Sequence, residues 1–370
     1  MNATPIRLSV AVMSHPDRAA AAEALARRYP ELRARVVLDP DPQGPPSALR
    51  TARRAWAAVE PDATHHLVLQ DDALLADDFA ARLAALITAY PRAALSLFAE
   101  WGSRSSYALR IAAMHGHHVA PVVDDYIPCV ALVLPAEDAR QFDGWAGAKA
   151  ATEDPDDLTL LHYLVERKTP ALVPVVNLVD HENGDSLVGN NVHGPRSAAC
   201  SVPWRDDVAL PAVPSLLTGL GTVPYYDFWG QYSDACLSDP SSVDGRVRSS
   251  ARVFLREKGV SEVELAVGLR AALERSPERG FLVDRLSEVV LTEVWIVSFL
   301  LGYLAAAHEG RGAGALDLTG RVAGAALATL GPGAVRRVVP TRWLPAIGTL
   351  LTPLVIDAVR AGAARVPLVG

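Results

Sequence analysis

The first 72 residues alternate between short apolar runs and segments of helical length. The apolar runs lie at 6–13, 35–38 and 66–69, and helices are predicted between them, at 19–28 and at 47–59, the latter capped by Ser47. Three strands separated by two helices within so short a stretch predict an α/β domain with a largely parallel sheet. Ligands of such sheets bind at the carboxyl ends of the strands, so the residues that follow each run become the first candidates for a site.

Two carboxylates follow the third of these strands, in the sequence Gln70-Asp71-Asp72. A buried strand that runs into paired carboxylates places them on a rigid edge, where a hard divalent cation and a diphosphate can be held. The alternative is that Asp71 and Asp72 only end the strand and cap the helix that starts at Phe79. Asp77 and Asp78 fit that capping role better.

The rest of the chain predicts three regions. Strands at 94–98, 129–134 and 171–179, the last broken by Pro174, and helices at 79–90, 136–142 and 156–166 extend the α/β domain to about residue 205. Residues 206–250 are rich in Pro, Ser, Asp, Gly and aromatic residues and predict an irregular linker. Residues 251–370 predict a helical domain, with helices at 262–274, 281–307, 314–330 and 343–364.

The order of these parts resembles the GT-A fold of nucleotide-sugar glycosyltransferases, most of all bacterial families in which a strand ends in Leu-Glu-Asp-Asp or a similar triplet. The resemblance covers about residues 5–200, and its matching pieces are 10–18, 67–72, 129–142 and 179–181. It implies a Rossmann-type mixed sheet flanked by helices. It also implies transfer of a sugar from a nucleotide-linked donor, with UDP as the expected nucleotide, to an acceptor hydroxyl.

The resemblance implies a role for each candidate residue. A divalent cation, Mn²⁺ or Mg²⁺, would bridge the diphosphate to Asp72, with His181 closing the metal site and Asp71 directed to the ribose or donor sugar. Gln70 departs from the acidic triplet and removes one negative charge. A loop histidine such as His181 can also be exposed and without a role. Ser186, Asn190 and Asn191, in the loop that follows, are suited to bind sugar hydroxyls.

The resemblance also implies residues that bind the nucleotide. His15, Asp17 and Arg18 follow the first strand, where the base and ribose are read in this fold. Candidate phosphate contacts on the next helix are Arg50, Arg53 and Arg54, unless they are solvated.

In inverting GT-A enzymes the catalytic base is a carboxylate at the start of a helix in this part of the chain. The resemblance therefore implies Asp157, at the start of the predicted helix through Glu166, with Asp156 or Asp154 as alternates. A helix N-cap with favourable dipole interactions explains the same acidic cluster without catalysis.

Composition excludes several function classes. The formal net charge is -7 and the pI is about 5.8, which lacks the basic footprint of a nucleic-acid-binding protein. Three widely spaced cysteines suggest neither a disulfide framework nor a zinc site. Residues 1–7 have no clustered positive charge, so a cytoplasmic location is expected.

The helical domain is expected to bind acceptor or to form a homo-oligomer. Its charge-free apolar run at 294–308 is shorter than the roughly 20 residues that cross a bilayer, so no transmembrane span is predicted.

Three competing functions stay open. One is a non-catalytic GT-A-shaped scaffold in which Gln70 reflects lost activity and the helical half binds a partner. Another is a nucleotidyltransferase, although the turn after the first strand is not the Gly-rich basic loop that such enzymes need. The third is association with a membrane surface through the helical half.

Overall fold

The fold is described from a computed structural model, over residues 5–184, 189–202, 210–211, 213–239, 245–310 and 312–367. The chain forms two compact units that are not consecutive in sequence. The described residues of Met1–Ala99, Pro121–Asn190 and Pro203–Ser215 form the first unit, and those of Glu100–Ala120, Asn191–Val202 and Leu216–Gly370 form the second.

The strands, in chain order, are β1 (Leu8–Ser14), β2 (Arg35–Leu38), β3 (His65–Gln70), β4 (Ala73–Leu75), β5 (Ala94–Ser96), β6 (Val119–Pro121), β7 (Ala131–Pro135), β8 (Ala171–Pro174), β9 (Val179–His181), β10 (Thr222–Asp227), β11 (Tyr232–Ser238) and β12 (Arg246–Ser250).

The helices, in chain order, are α1 (Ala19–Arg28), α2 (Ala48–Ala57), α3 (Phe79–Ala89), α4 (Arg104–Met114), α5 (Ala136–Lys149), α6 (Asp156–Arg167), α7 (Ala251–Glu257), α8 (Glu262–Arg275), α9 (Arg279–Ala307), α10 (Arg321–Ala328), α11 (Leu330–Val335) and α12 (Leu344–Ala363).

A seven-stranded mixed sheet, in the order β2-β1-β3-β7-β5-β8-β6, confirms the predicted α/β class. β1 lies between β2 and β3 and pairs with both in parallel, whereas β7 is antiparallel to β3 and β5. A hydrophobic core covers this sheet, with large side chains contributed by α2, α5 and α6, namely Trp56, Phe142 and Tyr163. The three parallel strands therefore end at one edge, as the sequence predicted.

The expected strand at 171–179 is two strands in two different sheets. β8 ends at Pro174, which has no N–H to continue a ladder. β9 pairs antiparallel with β4, with Ala73 opposite His181, and forms a separate two-stranded sheet. Because β4 follows closely after β3, this pairing places His181 near the end of β3.

Helix starts in the first unit follow the predictions in part. Ser47 caps α2, and its hydroxyl accepts a hydrogen bond from the Arg50 N–H at 3.0 Å. The expected cap by Asp78 is wrong, because Asp78 precedes α3 with a φ of 57° and its side chain makes no capping hydrogen bond within the described chain.

The second unit contains structure where an irregular linker was expected. β10, β11 and β12 form a three-stranded antiparallel sheet within residues 222–250. Gln231, with a φ of 58°, stands in the turn between β10 and β11. Of the aromatic residues that suggested a linker, Tyr225 and Tyr226 lie on β10 and Tyr232 starts β11, whereas Phe228 and Trp229 stand in the turn between the two strands. Tyr226 is almost fully buried.

Helices make up most of the second unit, as the sequence predicted for the C-terminal region. α9 and α12 pack closely, because a Cβ added at Gly302 would meet the carbonyl of Val359 and one at Gly362 would meet the carbonyl of Phe299. Glycine at these two positions lets the helix backbones touch.

Two helical segments, Arg279–Ala307 and Thr341–Ala363, are long and apolar enough to cross a bilayer by length and composition alone. The buried share of the most apolar window is 72% in the first and 44% in the second. A core helix of a soluble protein meets the same criterion, so these lengths are weak support for a span. α9 is also interrupted by the non-helical backbone of Ser287.

Candidate functional site

The ends of β1 and β3 form the base of the candidate site. Met13 pairs with Gln70 in the parallel register of these strands, so the next residues, Ser14 and Asp71, are neighbours. The Ser14 hydroxyl donates a hydrogen bond of 2.5 Å to Oδ2 of Asp71. The strand register thus fixes the first carboxylate of the pair.

Arg18 reaches the same edge from the turn after β1. Residues 16–18 form a single 3₁₀ turn in which the Arg18 N–H donates to the carbonyl of His15 at 2.9 Å, and α1 starts at the next residue. Arg18 Nη1 lies 3.3 Å from Oδ1 of Asp71 and 3.5 Å from Oδ2 of Asp72. One nitrogen therefore contacts both carboxylates.

His181 reaches the site from the end of β9. The pairing of β4 with β9 brings it beside the acidic pair, and the N–H of Glu182 donates to the carbonyl of Asp72 at 2.9 Å. His181 Nε2 lies 3.3 Å from Oδ2 of Asp72, and the His181 side chain is only 4% exposed. The alternative of a solvent-exposed loop histidine is wrong.

Burial governs the electrostatics of this cluster. It raises the pKa of Asp71 above the ordinary value, and the negative charge of Asp72 adds to this rise. The hydrogen bond from Ser14 and the charge of Arg18 lower the pKa of Asp71 but do not reverse the shift. Burial therefore outweighs the favourable contacts of Ser14 and Arg18 at the Asp71 carboxyl.

The donor set bears on the expected divalent cation. In the ranges that the structure describes, no group of three His, Cys, Asp or Glu side chains is arranged to hold a metal ion. Mg²⁺ is commonly held through one or two carboxylates, with phosphate oxygens and water completing the shell. Asp71 and Asp72 fit that mode in their chemistry, and Arg18 is the cationic group now between them.

The expected catalytic carboxylates open α6. Pro155 holds the N-cap position, so Asp156 and Asp157 lie in the first turn rather than cap the helix. Oδ2 of Asp156 is buried and has no hydrogen-bond partner among the described residues. Burial, followed by repulsion from Asp157, raises the pKa of Asp156 to about 7.

A chain of contacts links the start of α6 to the end of β3. The N–H of Ile127 donates to the carbonyl of Asp157 at 3.3 Å, and Cys129 donates through its thiol to the carbonyl of Ile127 at 3.1 Å. Next along the chain, the carbonyl of Val130 accepts from the N–H of Gln70 at 2.9 Å. Hydrogen bonds through residues 127–130 therefore connect the start of α6, which carries Asp156 and Asp157, to the end of β3, which precedes Asp71 and Asp72.

Of the other residues predicted to contact the nucleotide, His15 and Asp17 lie near the candidate site and Arg53 does not. His15 Nδ1 accepts a hydrogen bond of 3.2 Å from the N–H of Asp17, and the Asp17 side chain is 76% exposed beside it. Arg53 is engaged elsewhere, because its Nε donates to Asp143 on α5 at 2.7 Å. His15 and Asp17 stay beside the edge, whereas Arg53 serves the contact between α2 and α5.

An ion pair at the end of β2 was not predicted. Asp39 follows β2, its N–H donates to the carbonyl of Ser14 at 3.0 Å, and Arg50 Nε and Nη2 donate to its two oxygens at 2.7 Å each. Asp39 occupies the place after β2 that Asp71 occupies after β3, which is the signal that could have found it.

The loop after β9 is described only in part. Ser186 lies outside the described residues, and only the backbone of Asn190 is described, so the predicted sugar-hydroxyl contacts there stay predictions.

Comparison with known proteins does not assign a family. A scan of the chain against protein-family models finds no match, and a search of the curated proteins finds no matching relative.

Proposed function

We propose that the protein is a glycosyltransferase that moves a sugar from a nucleotide-linked donor, with UDP as the expected nucleotide, to an acceptor hydroxyl. The observation that carries the proposal is the convergence of Ser14, Arg18, Asp71, Asp72 and His181 at the carboxyl ends of β1 and β3. Ligands of α/β sheets bind at this edge. The GT-A identity of the fold is part of the same proposal.

Transfer from such a donor creates negative charge on the departing diphosphate. Positive groups aimed at that charge lower the barrier more than any other single contribution. Arg18 is one such group, and a Mn²⁺ or Mg²⁺ ion held by Asp71 and Asp72, with His181 beside Asp72, would supply a second. The assignment of Asp72 and His181 to a metal follows from the resemblance.

Acceptor activation needs a base. Asp157 and Asp156 are the candidates, since both open α6 and are joined through 127–130 to the end of β3. A carboxylate whose pKa is near 7 is better matched to proton abstraction at neutral pH than an ordinary one, which favours Asp156 over Asp157 as the group to test first. His15 and Asp17 are assigned to the base and ribose by their place after β1.

Calorimetry of the full chain with UDP, in the presence and absence of Mn²⁺, tests the proposal. We expect UDP to bind, and to bind more tightly with Mn²⁺. Asp72→Asn should weaken that binding, whereas Asp62→Asn should not, because Asp62 is exposed and precedes β3 at the opposite edge of the sheet. Absence of UDP binding under both conditions would remove the proposed function.

The scaffold alternative has one observation in its favour. Gln70 contributes no charge, and the two remaining carboxylates already contact Arg18. Metal-dependent release of UDP from a UDP-sugar in the absence of acceptor separates the two, since a scaffold binds the donor without hydrolysing it. The cytoplasmic location, the homo-oligomer and the role of the helical unit stay predictions from the sequence.

A further inference from the structure

Arg18 contacts the two carboxylates through a single atom. Its Nη1 lies 3.3 Å from Asp71 and 3.5 Å from Asp72, and neither distance is that of a short charge-assisted hydrogen bond. The planar fork of arginine normally binds a carboxylate through two nitrogens at about 2.7–2.9 Å. Nη1 of Arg18 is therefore shared between Asp71 and Asp72, and neither contact has the geometry of a tight charge-assisted pair.

The backbone position of Arg18 also disfavours a positive charge. Arg18 is the N-cap residue of α1, which has ten residues and no acidic residue in its first turn. A cation at a helix N-terminus is unfavourable, because that end already carries partial positive charge. Asp71 and Asp72 offset this cost by contributing negative charge beside the guanidinium. An anion that approached this end of α1 would meet both Arg18 and the helix dipole.

The carboxylates are not saturated by Arg18. Arg18 offers the two carboxylates one nitrogen, at 3.3 and 3.5 Å, whereas Arg50 offers the single carboxylate of Asp39 two nitrogens at 2.7 Å each. A divalent cation is a stronger counter-ion for two neighbouring carboxylates than one shared nitrogen, because it carries twice the charge. Cation and guanidinium carry charge of the same sign and would contend for the same oxygens.

We propose that Arg18 is a positioning residue that changes partners: it holds Asp71 and Asp72 in the absence of a cation, gives way when a divalent cation binds them, and then pairs with the diphosphate of the donor. The exchange rests on the proposed function for its diphosphate, but its first half concerns the cation alone. Arg18 thereby opposes binding of a cation without nucleotide and favours binding of the two together.

Titration of the full chain with MnCl₂ alone, followed by calorimetry and by the electron paramagnetic resonance signal of unbound Mn²⁺, tests the first half. Arg18→Gln keeps a polar side chain without the charge, and we expect it to bind Mn²⁺ about 10-fold more tightly than the natural chain. With Mn²⁺ in excess, the same variant should bind UDP about 10-fold more weakly. Arg18→Lys, which keeps the charge, should stay closer to the natural chain in both measurements.

Arg7→Ala is the matched control, because Arg7 is an exposed arginine just before β1, at the opposite edge of the sheet. It should leave both affinities unchanged. Circular dichroism of each variant checks the fold, and Arg18→Met, which also removes the charge, is measured in its place if Arg18→Gln does not fold. Mn²⁺ binding that is unchanged or weaker in Arg18→Gln, or absent in every variant, would overturn the exchange. Absence of UDP binding in the natural chain would instead refute the proposed function.

Discussion

Two arginines meet carboxylates at the same edge of the large sheet, and they do so in different ways. Arg50 donates to both oxygens of Asp39 at 2.7 Å and also to the carbonyls of Asp41 and Pro45, so it clamps the loop after β2. Arg18 divides one nitrogen between Asp71 and Asp72 at 3.3 and 3.5 Å. The first pair has the geometry of a structural contact, and the second has that of an exchangeable one.

The pKa values of the carboxyl groups reflect this difference. The hydrogen bonds from Arg50 lower the pKa of Asp39. Burial raises the pKa of Asp71, and Arg18 only reduces the rise. Paired carboxylates at a strand end suit a cation, and a diphosphate would be held there through the cation and Arg18. The effect of the neighbouring arginine on the carboxyl pKa therefore distinguishes Asp71, at the candidate site, from Asp39, in the loop after β2.

Asp156 extends the comparison to a carboxyl without a balancing arginine, and it gives the largest expected effect. Its folded pKa of about 7 exceeds the unfolded value, so the folded state binds more protons than the unfolded state at intermediate pH. Stability should therefore fall as the pH rises from about 4 to about 7, by about 4 kcal/mol from this group.

Urea unfolding of the natural chain and of Asp156→Asn at several pH values measures this effect. The variant should lose that part of the pH dependence, whereas Asp62→Asn, at an exposed position, should keep it. If the free energy of unfolding changes with pH equally in the natural chain and in Asp156→Asn, Asp156 ionises as an ordinary carboxyl.

Arg50→Ala should be the most destabilising arginine substitution at this edge. It leaves the buried carboxylate of Asp39 without its partner and releases the loop carbonyls, at a cost of about 3 kcal/mol in the free energy of unfolding. Chemical denaturation measures this loss. A change below about 1 kcal/mol would remove the distinction between the two pairs.

Asp72→Asn should act on function and not on stability. Loss of this carboxylate should slow metal-dependent hydrolysis of a UDP-sugar by about 100-fold or more. The free energy of unfolding should be unchanged or higher, because the repulsion between Asp72 and Asp71 is relieved. Full hydrolytic activity in Asp72→Asn would refute its assigned role.

Arg18→Gln should affect stability less than Arg50→Ala does. Its contacts with Asp71 and Asp72 are long and its side chain is 27% exposed, so the free energy of unfolding should change by less than about 1 kcal/mol. The same denaturation experiment as for Arg50→Ala measures both, and a loss in Arg18→Gln as large as in Arg50→Ala would show that Arg18 is a structural clamp as well.

The sequence predicted the central part of the fold because its patterns are local. Alternating apolar runs and helical segments placed β1, α1, β2, α2 and β3, and polar residues after β1 and β3 identified the edge. β4 and β9 have three residues each, too few to show a period, so their pairing with one another was not predicted. That pairing is what places His181 beside Asp72.

Residue roles within one helix were harder to predict. Arg50 and Arg53 both lie on α2, and the sequence gives no basis for knowing that one clamps Asp39 while the other meets Asp143 on α5. The return of the chain from the second unit at Pro121 was also not predicted, because contacts distant in sequence decide which residues form a unit.

A crystal structure of the protein with UDP and Mn²⁺ would show the partners of Arg18 and of the two carboxylates. We expect the cation on Asp72 and Asp71, the diphosphate beside it, and Arg18 turned from the carboxylates to the diphosphate. UDP bound at a different place, or Arg18 still in contact with both carboxylates beside a bound diphosphate, would contradict this expectation.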